Sequence, residues 1–283
     1  MRLMSFEQGG KASYGVATDK GVVDLGARIG GEYPTLLSLI EGKAFAAAEK
    51  AAAGQGDDFA QADVTFLPVI PRPNKIVCIG LNYEDHRIET GRQVSGYPVM
   101  FPRYANCQVG HGQAMVKPRN SDRFDYEGEM AVIIGTPGRH ISQADALNHV
   151  AGYSCYNDGS VRDFQGHTHQ FLPGKNFTGT GAFGPWMVTT DDIPDPTALT
   201  LTTRLNGQVM QQANTDQMIF NIPFLIEYIS SFMALEAGDV IVSGTPGGVG
   251  DKRKPPVYMK AGDTVEVEVT QIGTLVNPVV NEG

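Results

Sequence analysis

Short apolar runs, separated by glycine, proline or other turn residues, recur along most of the chain. The first 25 residues contain three of them, RLMSF, KASYGVAT and GVVDL. Runs of this length and composition are typical of strands. Later runs of the same kind are KIVCIGLNY, EMAVIIG, VIVSGTP, DTVEVEVTQIG and TLVNPVV. LTLTTRLNGQVM predicts a strand that ends in an Asn-Gly turn.

Helical patterns are fewer. TLLSLIEGKAFAAAEKAAAG is rich in Ala, Leu, Glu and Lys, with Gly42 as a weak point and Gly54 as a stop. NIPFLIEYISSFMALEAGD has Pro223 near its start and Gly238 at its end, as expected at the two ends of a helix. YEDHRIETG and QADALNHV predict two shorter helices. The fold class predicted from these elements is α+β and β-rich.

The change of pattern at VIPRP, residues 69–73, predicts an extended connector stiffened by proline. We therefore expect a small N-terminal α/β domain over residues 1–70. The main, strand-rich domain is expected over residues 74–283.

Composition narrows the class of protein. The 283 residues are 41% hydrophobic, which suits a globular protein with a sizeable core. The net charge of −9 argues against nucleic acid and anionic membranes as partners. The three cysteines are widely spaced without a CxxC, which excludes a disulfide framework and a cysteine zinc site. Without a signal-peptide pattern or a run of roughly 18 apolar residues, we expect a cytoplasmic protein.

FDYEGEMAVIIG places Asp125, Glu127 and Glu129 at every second position. On a strand these carboxylates share one face and repel each other unless positive charge lies among them. One interpretation is a solvated face paired with Lys or Arg on neighbouring strands. The other is a site for a hard cation such as Mg²⁺, Mn²⁺ or Ca²⁺, which carboxylate oxygens suit. Asp158, at the end of the predicted strand AGYSCYN, is either a third carboxylate of that site or a turn residue.

His86 and Glu89 lie three positions apart in the short predicted helix YEDHRIETG, so they share one face. A carboxylate in that position orients and charge-stabilises the imidazole, which can then act as a general base on water. The alternative interpretation is a surface ion pair without function. HxxE is not the HExxH of zinc peptidases, so zinc is not indicated.

The order of seven blocks along the chain carries more information than any single motif. They are KIVCIGLNYEDHRIE, DYEGEMAVIIG, GYSCYNDGSVRDFQ, LPGKNFTGTGAFGP, LNGQVMQQANTDQMIF, LEAGDVIVSGTPGGVG and KAGDTVEVEVTQIGTLVNPV. Together, over about residues 74–280, they resemble the fumarylacetoacetate hydrolase family. The resemblance implies a mixed β-sandwich roll, and a homodimer or a higher assembly.

The resemblance also implies roles for individual residues. Glu127, Glu129 and Asp158 match the family's three metal ligands, with Mg²⁺ or Mn²⁺ as the ion, and Asp125 matches a supporting residue. His86 and Glu89 match its water-activating pair, and Lys175 matches the lysine that faces the substrate. Arg162, Gln165 and Thr245 lie in blocks that the family uses around its substrate.

The activity that the resemblance implies is hydrolysis of an acylpyruvate in aromatic-compound catabolism. Water activated by His86 and Glu89 would attack the C4 carbonyl, and cleavage of the C3–C4 bond would release pyruvate. Oxaloacetate decarboxylation, and isomerisation or decarboxylation of hydroxy-diene diacids, remain alternatives within the family. A protein without catalytic activity whose metal is structural is the alternative of another class.

Arg103, in PVMFPRYAN, stands where the family often has a lysine, and DGSVRD replaces a more usual D-x-[ST]-A-R-D. An arginine favours bidentate contact with a carboxylate. We therefore expect Arg103 to bind a distal carboxylate of the substrate, as in maleylpyruvate or fumarylpyruvate.

Overall fold

The structure is a computed structural model that describes residues 1–93 and 95–283. Its strands are β1 (Arg2–Gln8), β2 (Lys11–Ala17), β3 (Gly21–Asp24), β4 (Phe59–Ala60), β5 (Thr65–Phe66), β6 (Ile76–Gly80), β7 (Val99–Arg103), β8 (Gln108–Val109), β9 (Met115–Lys117), β10 (Phe124–Asp125), β11 (Gly128–Ile134), β12 (Val150–Asp158), β13 (Ser160–Val161), β14 (Gly181–Thr189), β15 (Thr200–Leu205), β16 (Gln208–Asn214), β17 (Val240–Val242), β18 (Thr264–Val269) and β19 (Gly273–Asn281). Its α-helices are α1 (Leu25–Ile29), α2 (Leu36–Glu41), α3 (Phe45–Ala52), α4 (Glu84–Thr90), α5 (Arg162–Gln165), α6 (Leu172–Lys175) and α7 (Ile222–Phe232). Short 3₁₀ turns cover Gln61–Asp63, Ala105–Cys107, Ala146–His149, Thr190–Asp192, Thr215–Gln217 and Gly250–Lys252.

Two large sheets organise the chain. The twelve-stranded sheet has the order β4-β3-β2-β1-β14-β12-β11-β17-β6-β7, with β5 beside β1 and β8 beside β14. The five-stranded sheet has the order β16-β15-β18-β19-β9, and β10 pairs with β13. This strand-rich arrangement with few helices confirms the predicted β-rich α+β class. In the part of the chain that the structure describes, no helix has the length and apolarity needed to cross a bilayer.

The N-terminal strands are continuous with the twelve-stranded sheet. β1 pairs antiparallel with β14, with Leu3 opposite Met187. The connector at residues 69–73 lies between β5 and β6, where the sequence places the domain boundary. The N-terminal strands and several strands of the main part belong to one sheet. The division into two domains, residues 1–70 and 74–283, therefore stays a prediction.

The twelve-stranded sheet is covered on both faces, which explains the unbroken apolar run EMAVIIG. In β11, Met130, Val132 and Ile134 face a core shared with the five-stranded sheet and α7. Ala131 and Ile133 face a second core that contains the buried residues of α2. A strand buried on both faces needs apolar side chains at every position.

Local turn chemistry also agrees with the sequence. The Asn206-Gly207 turn between β15 and β16 has φ angles of 52° and 77°, the left-handed pair that a tight hairpin requires. The Ala-rich segment is interrupted at Gly42, where α2 ends, and resumes as α3.

The long helix predicted to reach Gly238 is shorter in the structure. It ends at Phe232, because the following segment pairs elsewhere. Leu235 is buried and exchanges two backbone hydrogen bonds with Gly138, of 2.9 and 3.0 Å. Gly238, with φ of 84°, instead forms the turn into β17. The predicted end of this helix is therefore wrong.

Candidate active site

Three carboxylates meet at one end of the antiparallel pair β11–β12. Glu127 immediately precedes β11 and Glu129 lies within it, while Asp158 ends β12, so the pairing of the two strands brings them together. One carboxylate oxygen of each residue lies within 4.8 Å of those of the other two. The three residues are 5%, 1% and 0% exposed. We call these three residues the acidic triad.

Two cations contact Glu127 directly, and one of them also contacts Asp158. The ammonium of Lys175 donates to Glu127 at 2.7 Å and to Asp158 at 2.6 Å. Arg162 donates to the other oxygen of Glu127 at 2.6 Å. Burial alone would raise the pKa of Glu127, but Lys175 and Arg162 outweigh it and lower this pKa to about 2. Glu127 is therefore ionised at neutral pH.

Glu129 has a different environment. Its carboxylate accepts a hydrogen bond from the backbone N–H of Gly244. Burial and the neighbouring charges of Asp158 and Glu127 hold its pKa well above the usual value of 4.5. Three carboxylates converge here, and the raised pKa of Glu129 means that the positive charge near it does not offset its burial and its two acidic neighbours. Such a set of hard oxygen donors matches the binding requirements of a divalent ion. The residues of the acidic triad thus fit Mg²⁺ or Mn²⁺ as ligands.

Asp125 supports the site without belonging to the acidic triad. Its side chain is fully buried and accepts from the backbone N–H groups of Gly250 and Asp251, both at 2.9 Å. Arg162 also donates to it, at 2.8 Å. Asp125 therefore fixes the glycine-rich segment after β17 and holds Arg162 beside Glu127.

His86 and Glu89 form a hydrogen-bonded pair on α4. The distance from His86 Nδ1 to Glu89 Oε1 is 2.8 Å, and Glu89 Oε2 accepts from the backbone N–H of Gly248 at 2.9 Å. A carboxylate at Nδ1 favours the tautomer with the proton on that nitrogen, which leaves Nε2 free to accept a proton. The pair thus has the arrangement of a general base with an orienting carboxylate.

A cavity of about 230 Å³ opens beside these groups. Most of the residues expected from the sequence line it together: His86, Glu127, Glu129, Arg162, Gln165, Lys175 and Thr245. Gln165 accepts from Arg162 at 2.9 Å, and Thr245 donates to the carbonyl of Gly128 at 2.9 Å. The fold therefore brings these residues from five separate segments of the chain to one cavity.

Arg103 does not line this cavity. Its side chain is 2% exposed, and its guanidinium donates to Asp158, to the carbonyl of Gly159 at 3.0 Å and to Thr180 at 2.9 Å. The expected contact between Arg103 and a substrate carboxylate is not supported by this geometry, because its donors are directed at Asp158 and its neighbours. Arg103 instead forms a buried ion pair with Asp158.

Two residues of the site were not found by sequence analysis. Gln211 is buried on β16 and its amide donates to Thr245 at 2.7 Å, while its carbonyl accepts from the Gly128 N–H at 3.0 Å. Arg92 lines the cavity just after α4. Gln211 lies within one of the seven quoted blocks, but no alternation or spacing distinguishes it from its neighbour Gln212.

Comparisons with known proteins identify the family of this chain. The family model for the fumarylacetoacetate (FAA) hydrolase C-terminal domain matches residues 75–280. Oxaloacetate tautomerase FAHD2A, mitochondrial, of Homo sapiens is 43% identical over 235 residues, which cover 82% of this chain and 75% of that protein. Oxaloacetate tautomerase YisK of Bacillus subtilis (strain 168) is 40% identical over 225 residues, covering 78% and 75%.

Solved structures give the same result. A fumarylacetoacetate hydrolase from Exiguobacterium antarcticum superimposes with a TM-score of 0.83 at 35% identity, over the whole of both chains. Maleylpyruvate hydrolase from Sphingobium sp. SYK-6, solved with manganese(II) and pyruvate, has a TM-score of 0.83 at 29% identity, again over both chains. The predicted sandwich-roll fold is thereby confirmed, and the chain belongs to the fumarylacetoacetate hydrolase family.

Proposed function

We propose that this protein is a divalent-metal-dependent enzyme that interconverts the keto and enol forms of a 2-oxo diacid, with oxaloacetate as the first candidate. The observation that carries the proposal is that His86, oriented by Glu89, lines the same cavity as Glu127 and Glu129 of the acidic triad. The relatives at 40% identity or more that are named oxaloacetate tautomerases support the choice of reaction.

The proposed roles follow from the contacts. A divalent ion held by Glu127, Glu129 and Asp158 would supply positive charge for the 2-oxo oxygen. The Nε2 atom of His86 accepts the proton that leaves C3 of the substrate, and Glu89 stabilises the imidazolium that results. Lys175 adds a second positive charge beside Glu127 and Asp158. The C–H bond at C3 breaks as its proton passes to His86, and the imidazolium then returns a proton to the 2-oxo oxygen, so an O–H bond forms and the substrate keeps its composition.

Hydrolysis of an acylpyruvate is the second candidate. The same His86–Glu89 pair can deprotonate water instead of carbon, and the C3–C4 bond would then break with release of pyruvate. The observation that favours it is the likeness to the maleylpyruvate hydrolase solved with manganese(II) and pyruvate. The two candidates differ in whether the substrate remains whole.

One experiment separates the candidates. The protein, loaded with Mg²⁺ or Mn²⁺, is given enol-oxaloacetate, and the loss of the ultraviolet absorbance of the enol is followed. Acetylpyruvate, maleylpyruvate and fumarylpyruvate are followed in the same way, with release of pyruvate measured. We expect metal-dependent acceleration of oxaloacetate tautomerisation that EDTA abolishes. Pyruvate release from an acylpyruvate, without tautomerisation of oxaloacetate, would support hydrolysis instead. A protein that is inactive toward all four compounds would contradict both candidates.

A substitution at the base tests its role. His86→Gln is expected to lower the rate by about 100-fold or more, because general-base catalysis contributes roughly that much. His169→Gln, at an exposed histidine outside the cavity wall, is the control and should leave the rate unchanged. Equal rates for the two variants would exclude His86 as the base.

Assembly and location remain proposals of the same kind. We keep the homodimer and the cytoplasmic location as predictions, although several relatives are named mitochondrial. Light scattering of the purified protein would measure its oligomeric state. Imaging of the tagged protein in its own cell would show its location.

A further inference from the structure

Gly128 lies between two members of the acidic triad, Glu127 and Glu129, at the start of β11. The backbone of Glu127 is bound from the β12 side, because its carbonyl accepts from the Asp158 N–H at 2.8 Å. Successive residues of a strand direct their backbone groups to opposite neighbours. The N–H and C=O groups of Gly128 therefore face the other side, where β17 is the neighbour of β11.

The strand on that side ends before it reaches Gly128. β17 pairs with Ala131–Ile133 of β11. Among the residues that the structure describes, the backbone ladder between them ends with the bond from the Ser243 N–H to the Met130 carbonyl, at 3.0 Å. The chain then leaves the sheet at Gly244, whose φ is 103°. Because buried backbone groups without a partner are costly, Gly128 needs partners other than a strand.

Two side chains supply these partners. The Gly128 N–H donates to the Gln211 carbonyl oxygen at 3.0 Å, and the Gly128 carbonyl accepts from the Thr245 hydroxyl at 2.9 Å. The Gln211 amide donates to the Thr245 oxygen at 2.7 Å, which closes a ring of three hydrogen bonds. Its other N–H donates to the Pro246 carbonyl at 2.8 Å. Gln211 and Thr245 are 1% and 3% exposed, so this hydrogen-bond ring is shielded from water.

The five-stranded sheet brings Gln211 to this position. Gln211 lies on β16, opposite Thr203 of β15. A β-carbon on Gly128 would lie 1.9 Å from the Thr203 hydroxyl oxygen, so only glycine allows the two sheets to approach this closely here. The hydrogen-bond ring therefore joins the five-stranded sheet to the twelve-stranded sheet at the acidic triad.

We propose that Gln211 is a positioning residue, which sets the geometry of Glu127 and Glu129 as metal ligands. With Thr245 it fixes the peptide units on both sides of Gly128. These two units lead to the two glutamates, so the hydrogen-bond ring determines how far apart their carboxylates lie. This inference rests on the metal site of the proposed function, and it holds for tautomerisation and hydrolysis alike.

Binding of Mn²⁺ tests this role without any substrate. Gln211→Met keeps the size of the side chain but not its hydrogen bonds, and Gln212→Met is the same change at the exposed neighbour on β16. We expect Gln211→Met to raise the Kd for Mn²⁺, measured by calorimetry, by roughly 10-fold or more, as for other residues that hold metal ligands in place. Gln212→Met should leave it unchanged.

Urea unfolding of the metal-free variants separates positioning from a purely structural role. A structural role alone would lower the free energy of unfolding of Gln211→Met and leave its Kd for Mn²⁺ at the wild-type value, which would overturn the proposal. The electron paramagnetic resonance spectrum of bound Mn²⁺ should also broaden in Gln211→Met, because the ligand geometry becomes less uniform.

Thr245 provides a second test, which decides the question even if Gln211→Met does not fold. Thr245→Ser keeps the hydroxyl and should keep the Mn²⁺ affinity, whereas Thr245→Val should weaken it. Either change opens the same ring, so the double variant with Gln211→Met should lose much less than the product of the two single losses. Unchanged affinity in Thr245→Val would overturn the proposal. Gln211-dependent Mn²⁺ binding in a protein that converts none of the four compounds would keep it and reject only the proposed reaction.

Discussion

Lys175 is 1% exposed, and its charge is balanced by Glu127 and Asp158, which are 5% and 0% exposed. Arg103 and Arg162 approach the same carboxylates from other sides. Removal of one charged side chain leaves its partner buried and charged without compensation, which destabilises the protein far more than the loss of a surface ion pair. The buried charges of Lys175, Glu127 and Asp158 therefore stabilise the fold and also line or adjoin the cavity in which the chemistry is proposed.

Lys175→Met should therefore destabilise the metal-free protein by about 3 kcal/mol or more, since Glu127 and Asp158 lose their shared cation. Added Mg²⁺ should restore part of this loss, because a divalent ion supplies charge at the same place. Urea unfolding with and without EDTA measures both effects. Lys117→Met removes an exposed pair with Asp122 and is expected to change stability by less than about 1 kcal/mol. Similar losses in the two variants would contradict this account.

His111 makes stability depend on pH. Its Nδ1 accepts from the Val276 N–H at 3.2 Å, and its ring packs on Phe66 at 4.9 Å. Burial lowers the pKa of His111 below 6.5, with partial compensation from a backbone hydrogen bond to Thr274. The unfolded chain then binds a proton that the folded chain resists. The contribution is complete above about pH 6.5 and is lost as the pH falls below it.

His111→Asn should thus lose less stability than the wild type between about pH 7.5 and pH 5.5, because the amide oxygen can accept the same hydrogen bond without titrating. The free energy of unfolding, measured by urea at several pH values, provides the comparison. Parallel curves for the two proteins would show that His111 does not contribute.

At the scale of elements, α4 positions the base. It ends at Gly91, whose φ of 67° is left-handed and whose N–H bonds the carbonyls of Arg87 and Ile88. A glycine at this position closes the helix without steric penalty, and the chain then turns to Arg92. The end of α4 therefore determines where both the His86–Glu89 pair and Arg92 lie.

Gly91→Ala should raise the free energy of the closed helix end by about 1 kcal/mol, because a β-carbon disfavours positive φ. Within residues 1–93 and 95–283, and apart from the two chain neighbours of Gly91, no atom lies within 4 Å of the added carbon, so the expected effect is conformational. We expect faster hydrogen exchange over residues 84–92 and a lower rate of catalysis, with a small change in global stability. Gly56→Ala, which is equally open but lacks positive φ, is the matched control. Unchanged exchange in α4 would refute the assigned role of Gly91.

At the scale of the whole molecule, the N-terminal segment completes the larger sheet. β1 continues the sheet beyond β14, and α2 covers the face that carries Ile133 and Val240. Leu39 and Ile40 of α2 are fully buried in that core. Removal of this segment would expose an apolar face and an unpaired strand edge.

A fragment of residues 71–283 is therefore expected to aggregate or to bind a hydrophobic dye strongly. Leu39→Ala in the full chain provides a milder test and should cost about 3 kcal/mol, whereas Leu147→Ala, at a residue 38% exposed, should cost far less. Size-exclusion chromatography and urea unfolding measure these effects. A monodisperse fragment with native near-ultraviolet circular dichroism would establish residues 71–283 as an independent domain.

The elements could be predicted where the signal is local. The Asn-Gly hairpin, the run EMAVIIG and the break at Gly42 each follow from a few adjacent residues. The end of α7 could not be predicted, because Leu235 pairs with Gly138, almost a hundred residues away in sequence, and this pairing overrides helix propensity. The short α1 was missed for a related reason: its cap, Asp24, also ends a strand.

The strand-rich class, the family and the residue types of the acidic triad can be inferred from the sequence alone, because alternation, turn chemistry and ordered motifs are properties of short segments. Which cation pairs with which carboxylate depends on the three-dimensional fold. Lys175 meets Glu127 across 48 positions of sequence, and Arg103 meets Asp158 across 55. Strand pairing sets such contacts, and it is fixed by packing over the whole sheet. For that reason Arg103 pairs with Asp158 outside the cavity wall, whereas Arg92 lines the cavity.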